Sequence, residues 1–259
     1  MGRTRASRSR KLTDRTADRV GLHAYLWASP LAALLCLLLI SPFGARADSV
    51  AAPPSRRLVI LGDSLTASFG LDPSEGYPAL LQKMIDSAEL PYRVVNAGVS
   101  GDTTSGGIRR IDWVLKQPVD VFVLALGGND GLRGMPPSLT RSNLLGILDK
   151  VAVRYPRATL VVAGMQMPPN MGLDYTRAFQ ELFPDVARKT SATLIPFLLE
   201  GVGGLPEMNQ PDLIHPTAEG HVRIAKTVWT ILRPLLKAAV STDPVPRREV
   251  PGRGSTLPP

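Results

Sequence analysis

Five short, unbroken apolar runs recur along this chain, and they restrict its fold more than any other feature. They are Leu58 to Leu61, Val94-Val95, Val121 to Leu126, Leu160 to Ala163 and Leu194 to Leu198. None alternates with polar residues as a strand with one wet face would, so each is predicted to be a strand covered on both sides. Between them apolar residues return at helical spacing. Leu80, Leu81, Met84, Ile85 and Ala88 form one stripe; Ile108, Ile111 and Leu115 a second; Leu144, Leu145, Leu148 and Val151 a third. Phe179, Leu182, Phe183 and Val186 form a fourth, and Val222, Ala225, Val228 and Leu232 a fifth. Strands alternating with helices imply a parallel sheet with helices on both faces. The expected fold is therefore α/β, a three-layer α/β/α sandwich around a five-stranded parallel sheet, wound as in flavodoxin. Ligands of such sheets sit outside the carboxyl ends of the strands.

These patterns occupy about residues 57–240, read as one domain. Residues 48–56 are an Ala/Pro/Ser linker, and residues 241–259, rich in Pro, Arg and Gly, are expected to be a disordered tail. Residues 1–47 read as an export signal. Arg3, Arg5, Arg8, Arg10, Lys11, Arg15 and Arg19 make a positive leader, Leu31 to Ile40 an apolar run, and Ala45-Arg46-Ala47 a small-residue cleavage site. Cleavage after Ala47 is expected. An inner-membrane anchor is the alternative, because counting from Val20 to Phe43 lengthens the run toward the roughly 20 residues a span needs. The formal charge of +8 is concentrated in this segment, which holds eight basic and two acidic residues; the rest carries 22 and 20. A nearly neutral mature chain lacks the basic footprint of a nucleic-acid binder. The single cysteine, Cys36, lies in the leader, preceded by Leu35, so neither lipidation nor a disulfide, thiol nucleophile or thiolate metal site is expected of the mature chain.

The polar clusters fall at strand ends. Gly62-Asp63-Ser64-Leu65 follows the first predicted strand, Asn96 to Asp102 the second, and Gly127-Gly128-Asn129-Asp130 the third, while Asp212-Leu213-Ile214-His215-Pro216 precedes the last helix. Four separate segments thus converge on one sheet edge. Ser64, at the start of a helix, is either an N-cap or a nucleophile whose developing charge the helix terminus favours. A serine nucleophile needs a base. Of the three histidines, His23 is in the leader, and His221, among polar neighbours, reads as a solvated surface residue. His215 follows Asp212 by three residues, so one turn brings carboxylate to imidazole, and Pro216 suits the first turn of the following helix. By itself this pair reads first as a local turn with an ordinary hydrogen bond; with Ser64 at the same edge it reads as a triad. The Ser64 N–H, the bare backbone of Gly101 and the Asn129 amide are candidate oxyanion donors, each with turn geometry as the plainer alternative.

These four ordered motifs resemble those of the SGNH (GDSL) hydrolases, over about Leu58 to Leu236. Leu61 to Ala67, Gly127 to Gly134, Ile214 to Thr217, and Pro169, Asn170 and Gly172 ahead of Tyr175 are similar to the TesA-type subgroup of periplasmic thioesterases, arylesterases and lysophospholipases. The resemblance implies that Ser64 attacks an acyl carbonyl, His215 acts as base and then acid, Asp212 orients it, and Ser64, Gly101 and Asn129 hold the oxyanion. It implies no metal or cofactor. The stretches Leu71 to Glu75, Met165 to Leu173 and Gly201 to Asn209 depart from the subgroup, so acyl-chain preference is not carried over.

Met165, Met167, Met171, Leu173 and Tyr175 crowd the fourth strand end and the next loop, where adaptable apolar side chains suit an acyl chain, with ordinary packing as the alternative. Arg133 reads as a surface arginine within reach of an anionic substrate group. The expected partner is a small acyl ester or thioester, with no nucleic acid and no stable membrane span in the mature chain. Two other functions fit the pattern: an O-acetyl esterase acting on glycans, and a non-catalytic lipid-binding protein on the hydrolase fold. A glycan enzyme wants exposed aromatics around its cleft; Tyr77, Trp113, Tyr155, Tyr175 and Trp229 are the candidates, and several fit helix faces.

Overall fold

β1 (Arg56–Gly62) is an inner strand of a five-stranded sheet in which every neighbouring pair is parallel. The computed structural model describes residues 56–242. The expected export segment and most of the linker and tail lie outside the described residues. In chain order β1 is followed by α1 (Ser64–Ala67), α2 (Tyr77–Ser87), β2 (Tyr92–Gly98), α3 (Thr104–Val114), β3 (Val121–Ala125), α4 (Gly128–Leu132) and α5 (Pro137–Arg154). Then come β4 (Thr159–Ala163), α6 (Leu173–Thr190), β5 (Thr193–Ile195) and α7 (Ala218–Thr242). The strand order is β2-β1-β3-β4-β5, the flavodoxin-like winding, with its switch point between β1 and β3. β1 therefore already includes Arg56, and α7 runs two residues past the expected domain end.

The central strands behave as continuous apolar runs should. Leu58 to Leu61 in β1 and Val121 to Ala125 in β3 are buried throughout, because helices cover both faces. α3, α5 and α6 pack side by side in one layer, and α2 packs with α7 in the other. Leu81 and Ile85 of α2, Ile111 of α3, Leu144, Leu148 and Val151 of α5, and Phe179, Leu182 and Val186 of α6 are fully buried. Among the described residues no helix is long and apolar enough to cross a membrane.

Three local expectations are corrected. The fifth run ends as a strand at Ile195 rather than Leu198, because Pro196 has no N–H to give the ladder. On α7 the buried stripe starts at His221 instead of Val222: His221 is 1% exposed, whereas Val222 is 38% exposed. The residues 221, 224, 225, 228 and 232 share one face, so a histidine occupies an apolar position. It is not the solvated surface residue its neighbours suggested. Its Nδ1 accepts the Tyr77 N–H at 3.2 Å, capping the start of α2, where Gly76 supplies no side-chain cap.

Candidate active site

The segment that carries Ser64, the predicted nucleophile, begins with a cap that is not the serine. α1 is four residues long, and its N-cap is Asp63, whose carboxylate accepts the Leu65 N–H at 3.0 Å. Ser64 is the first helical residue, so its hydroxyl is released from capping. Gly62 permits the tight passage from β1, since a Cβ there would stand 1.9 Å from Thr66 Oγ1. Thr66 Oγ1 is 2.7 Å from the buried Tyr77 hydroxyl, and its carbonyl accepts the Asn96 amide at 2.8 Å. α1 is thereby held against both α2 and β2.

The loop before α7 brings the other two residues of the predicted triad to Ser64. His215 Nε2 lies 3.0 Å from Ser64 Oγ, and His215 Nδ1 lies 2.6 Å from Asp212 Oδ2. The same carboxylate accepts the Ile214 and His215 N–H groups, each at 3.0 Å. To wrap around it, Leu213 takes a φ of 57°, a left-handed conformation that costs a leucine of order 1 kcal/mol and persists only where the surroundings impose it. Those hydrogen bonds, led by the His215 N–H, lower the Asp212 pKa to about 2. An ionised carboxylate only accepts, so Nδ1 must carry the imidazole proton and Nε2 presents its lone pair to the serine hydroxyl. The Phe69 ring sits against this imidazole, with centroids 4.5 Å apart.

The predicted oxyanion donors come from three strand ends. Asn129 is in the single-turn helix α4, which Gly127 enters with a φ of 118°. Its Nδ2 donates to the Asp102 carbonyl at 2.9 Å and, more weakly, to Asp63 Oδ2 at 3.4 Å; it bonds across segments rather than to its own turn. Gly101 has a φ of 76° in the turn closed by Asp102 N–H to Val99 O at 3.0 Å. Its carbonyl accepts from Arg133 Nη2 at 3.0 Å, so Arg133 is tied to this loop. Asp63 is 2% exposed, and burial pushes its carboxyl up to about 6, against the Leu65 N–H bond that favours the ion.

Ser64, His215 and Asn129 open onto a cleft of about 520 Å³. Met165 and Met167 line it, but Met171, Leu173 and Tyr175 do not. Gly172, with a φ of 94°, turns the chain before α6 begins; Leu173 is 75% exposed, and the Tyr175 hydroxyl bonds to the Gly131 and Met135 carbonyls at 3.2 and 2.9 Å. Other apolar lining was not legible as such in the sequence: Leu132 ends the five-residue α4, and Pro168, Phe197, Leu199, Leu213 and Ile214 sit on loops without periodicity. None of the five Tyr and Trp candidates lines the cleft. Two other cavities lie away from the motifs, one of about 440 Å³ between α2 and α7 and one of about 830 Å³ beside Asp120 and Arg154; neither meets a motif residue.

Known proteins match this chain along most of the domain. The model of the GDSL-like Lipase/Acylhydrolase family matches residues 60–223. The chain is 43% identical over 183 residues to Esterase TesA of Pseudomonas aeruginosa, covering 70% of this chain and 90% of that one. It is 36% identical over 215 residues to Thioesterase 1/protease 1/lysophospholipase L1 of Escherichia coli strain K12, covering 83% and 96%. A crystal structure of TesA superposes with a TM-score of 0.67 at 42% identity, over 70% of this chain and 99% of that one.

Proposed function

From the premise that the chain belongs to the GDSL-like lipase/acylhydrolase family, we propose that it is a serine esterase and thioesterase acting through an acyl-enzyme on Ser64. The observation that carries this reading is the chain of contacts Asp212–His215–Ser64, at 2.6 and 3.0 Å, opening onto an apolar cleft. Ser64 Oγ attacks the acyl carbonyl while His215 Nε2 takes its proton. The Asp212 carboxylate holds the imidazole by Nδ1 and stabilises the cation that forms. The carbonyl oxygen, now charged, is held by the N–H groups of Ser64 and Gly101 and by the Asn129 amide. When the tetrahedral adduct collapses, the C–O or C–S bond breaks and His215 returns the proton to the leaving alcohol or thiol. Water, activated by the same imidazole, then releases the acid and restores Ser64.

The substrates proposed are aryl esters, acyl-CoA thioesters and lysophospholipids. The names of the relatives, an esterase and a thioesterase/lysophospholipase, support that range. So does a cleft lined by Met165, Met167, Leu132 and Phe197, which favours an acyl chain over the glycan of an O-acetyl esterase. Hydrolysis of p-nitrophenyl esters from acetyl to palmitoyl, and of acyl-CoA, tests it. Turnover rising beyond acetyl supports the reading. Turnover confined to acetyl would replace it with the deacetylase, and acyl binding without turnover would replace it with the lipid-binding protein. The leader 1–47, with its basic stretch and Ala45-Arg46-Ala47, places the enzyme in the periplasm or beyond on this reading. N-terminal sequencing of the exported protein is expected to begin at Asp48; an N-terminus at Met1 would speak for an anchor.

A further inference from the structure

One side chain outside the cleft bonds at three points to two of the four segments that converge on it. Arg110, on α3, donates from Nε to Asp102 Oδ2 at 2.7 Å, from Nη1 to the Ala97 carbonyl at 2.8 Å and from Nη2 to the Gly62 carbonyl at 2.9 Å. Gly62 is the last residue of β1, directly before Asp63-Ser64, and its carbonyl also accepts the Val99 N–H at 3.1 Å. Ala97 is at the end of β2. Asp102 follows Gly101, and its own carbonyl receives the Asn129 amide at 2.9 Å. Gly106 leaves the space for this arrangement, since a Cβ there would stand 1.7 Å from Asp102 Oδ1. A planar guanidinium is suited to such a task, because its donors point in fixed directions and it stays charged at every working pH.

We propose that Arg110 is a positioning residue of the oxyanion hole, setting the distance between the Ser64 N–H, the Gly101 N–H and the Asn129 amide. The proposal rests on the hydrolase reading above. Oxyanion donors act only if they are already aimed at the place where charge develops. Their looseness is felt in the transition state and hardly at all in the bound substrate, so losing the brace lowers kcat and leaves KM nearly unchanged. Because Arg110 reaches Asn129 through Asp102, its effect depends on the amide being there.

The test is a double-mutant cycle on a p-nitrophenyl ester with Arg110→Met, Asn129→Ala and the pair. Wild-type turnover is measured first: if it is absent, the hydrolase reading fails, whatever Arg110 does. Given turnover, Arg110→Met that still melts cooperatively is expected to lose roughly 10- to 100-fold in kcat, somewhat less than the loss of a whole oxyanion donor. KM should stay within about 3-fold. In the Asn129→Ala background the same change should cost no more than about 3-fold, since coupled residues are non-additive. Arg110→Lys keeps the ion pair with Asp102 but not the fork, and should fall between wild type and Arg110→Met. If Arg110→Met does not fold, Arg110→Lys in the two backgrounds carries the same comparison. An unchanged kcat in the folded variant, or an equal loss in both backgrounds, would overturn the proposal.

Discussion

Two buried ionisable side chains, Asp63 directly before Ser64 and His221 on α7, are shifted in opposite directions. Asp63 is raised from 3.8 to about 6 by burial. Its contribution to stability is fully present below 3.8 and is lost as pH rises through about 6. His221 is lowered from 6.5 to about 4, first by burial and then by the charge of His215. Its contribution is fully present above 6.5 and is lost as pH falls through about 4. The two slopes oppose each other across the same window. Asp63→Asn, which keeps a capping oxygen, should therefore gain on the parent by about 2 kcal/mol between pH 4 and pH 8. Denaturant melts at the two pH values check this; a constant difference would mean that Asp63 does not titrate there. Asp212 is different: held near 2, it stays ionised through the working range and does not shape the acid side of the rate profile. Asp212→Asn should lower kcat by about 10³-fold or more through the wrong tautomer, measured at fixed pH. Ser64, Asp212 and His215 could be singled out by type and spacing alone. Asp63 could not, because capping and burial belong to its surroundings.

At the scale of elements, the sheet was legible because buried parallel strands leave unbroken apolar runs. α1 and α4 were not. At four and five residues they are too short to show a helical period, yet they carry Ser64 and Asn129. Their placement depends on close backbone approaches. A Cβ on Gly98 would stand 2.5 Å from the Ala67 nitrogen and 2.8 Å from the Thr66 carbonyl carbon, so β2 can lie against α1 only without a side chain there. Backbone cannot swing aside as a flexible side chain can. Gly98→Ala should cost about 1–3 kcal/mol as overpacking and should also lower kcat by displacing Ser64. A melt and a rate measured on the same preparation check both; a stable variant with full activity would show that α1 tolerates the shift. The misreading of His221 has the same origin. Glu219 and Arg223 flank it in sequence and are exposed, but the helix turns His221 inward beside the buried Gly220.

Across the whole molecule, the switch point between β1 and β3 gathers the site. β1 delivers Asp63-Ser64, β2 the Gly101 turn, β3 the Gly128-Asn129 turn, and the long loop before α7 delivers Asp212 and His215. The four motifs were visible as polar clusters at strand ends, which is why the site was legible before the cleft was. The cleft is built from loops, with Phe197, Leu199, Leu213 and Ile214 fixed by tertiary position and not by any period, so its extent came only from the structure. The central claim is that Ser64, activated by His215, becomes covalently acylated. Labelling with an alkyl phosphonate ester, whose adduct mimics the tetrahedral intermediate, followed by peptide mass spectrometry tests it most directly. The account predicts one adduct, on the peptide containing Ser64, absent in Ser64→Ala and strongly slowed in His215→Ala; ester turnover that persists in Ser64→Ala, or a label on another residue, would contradict it.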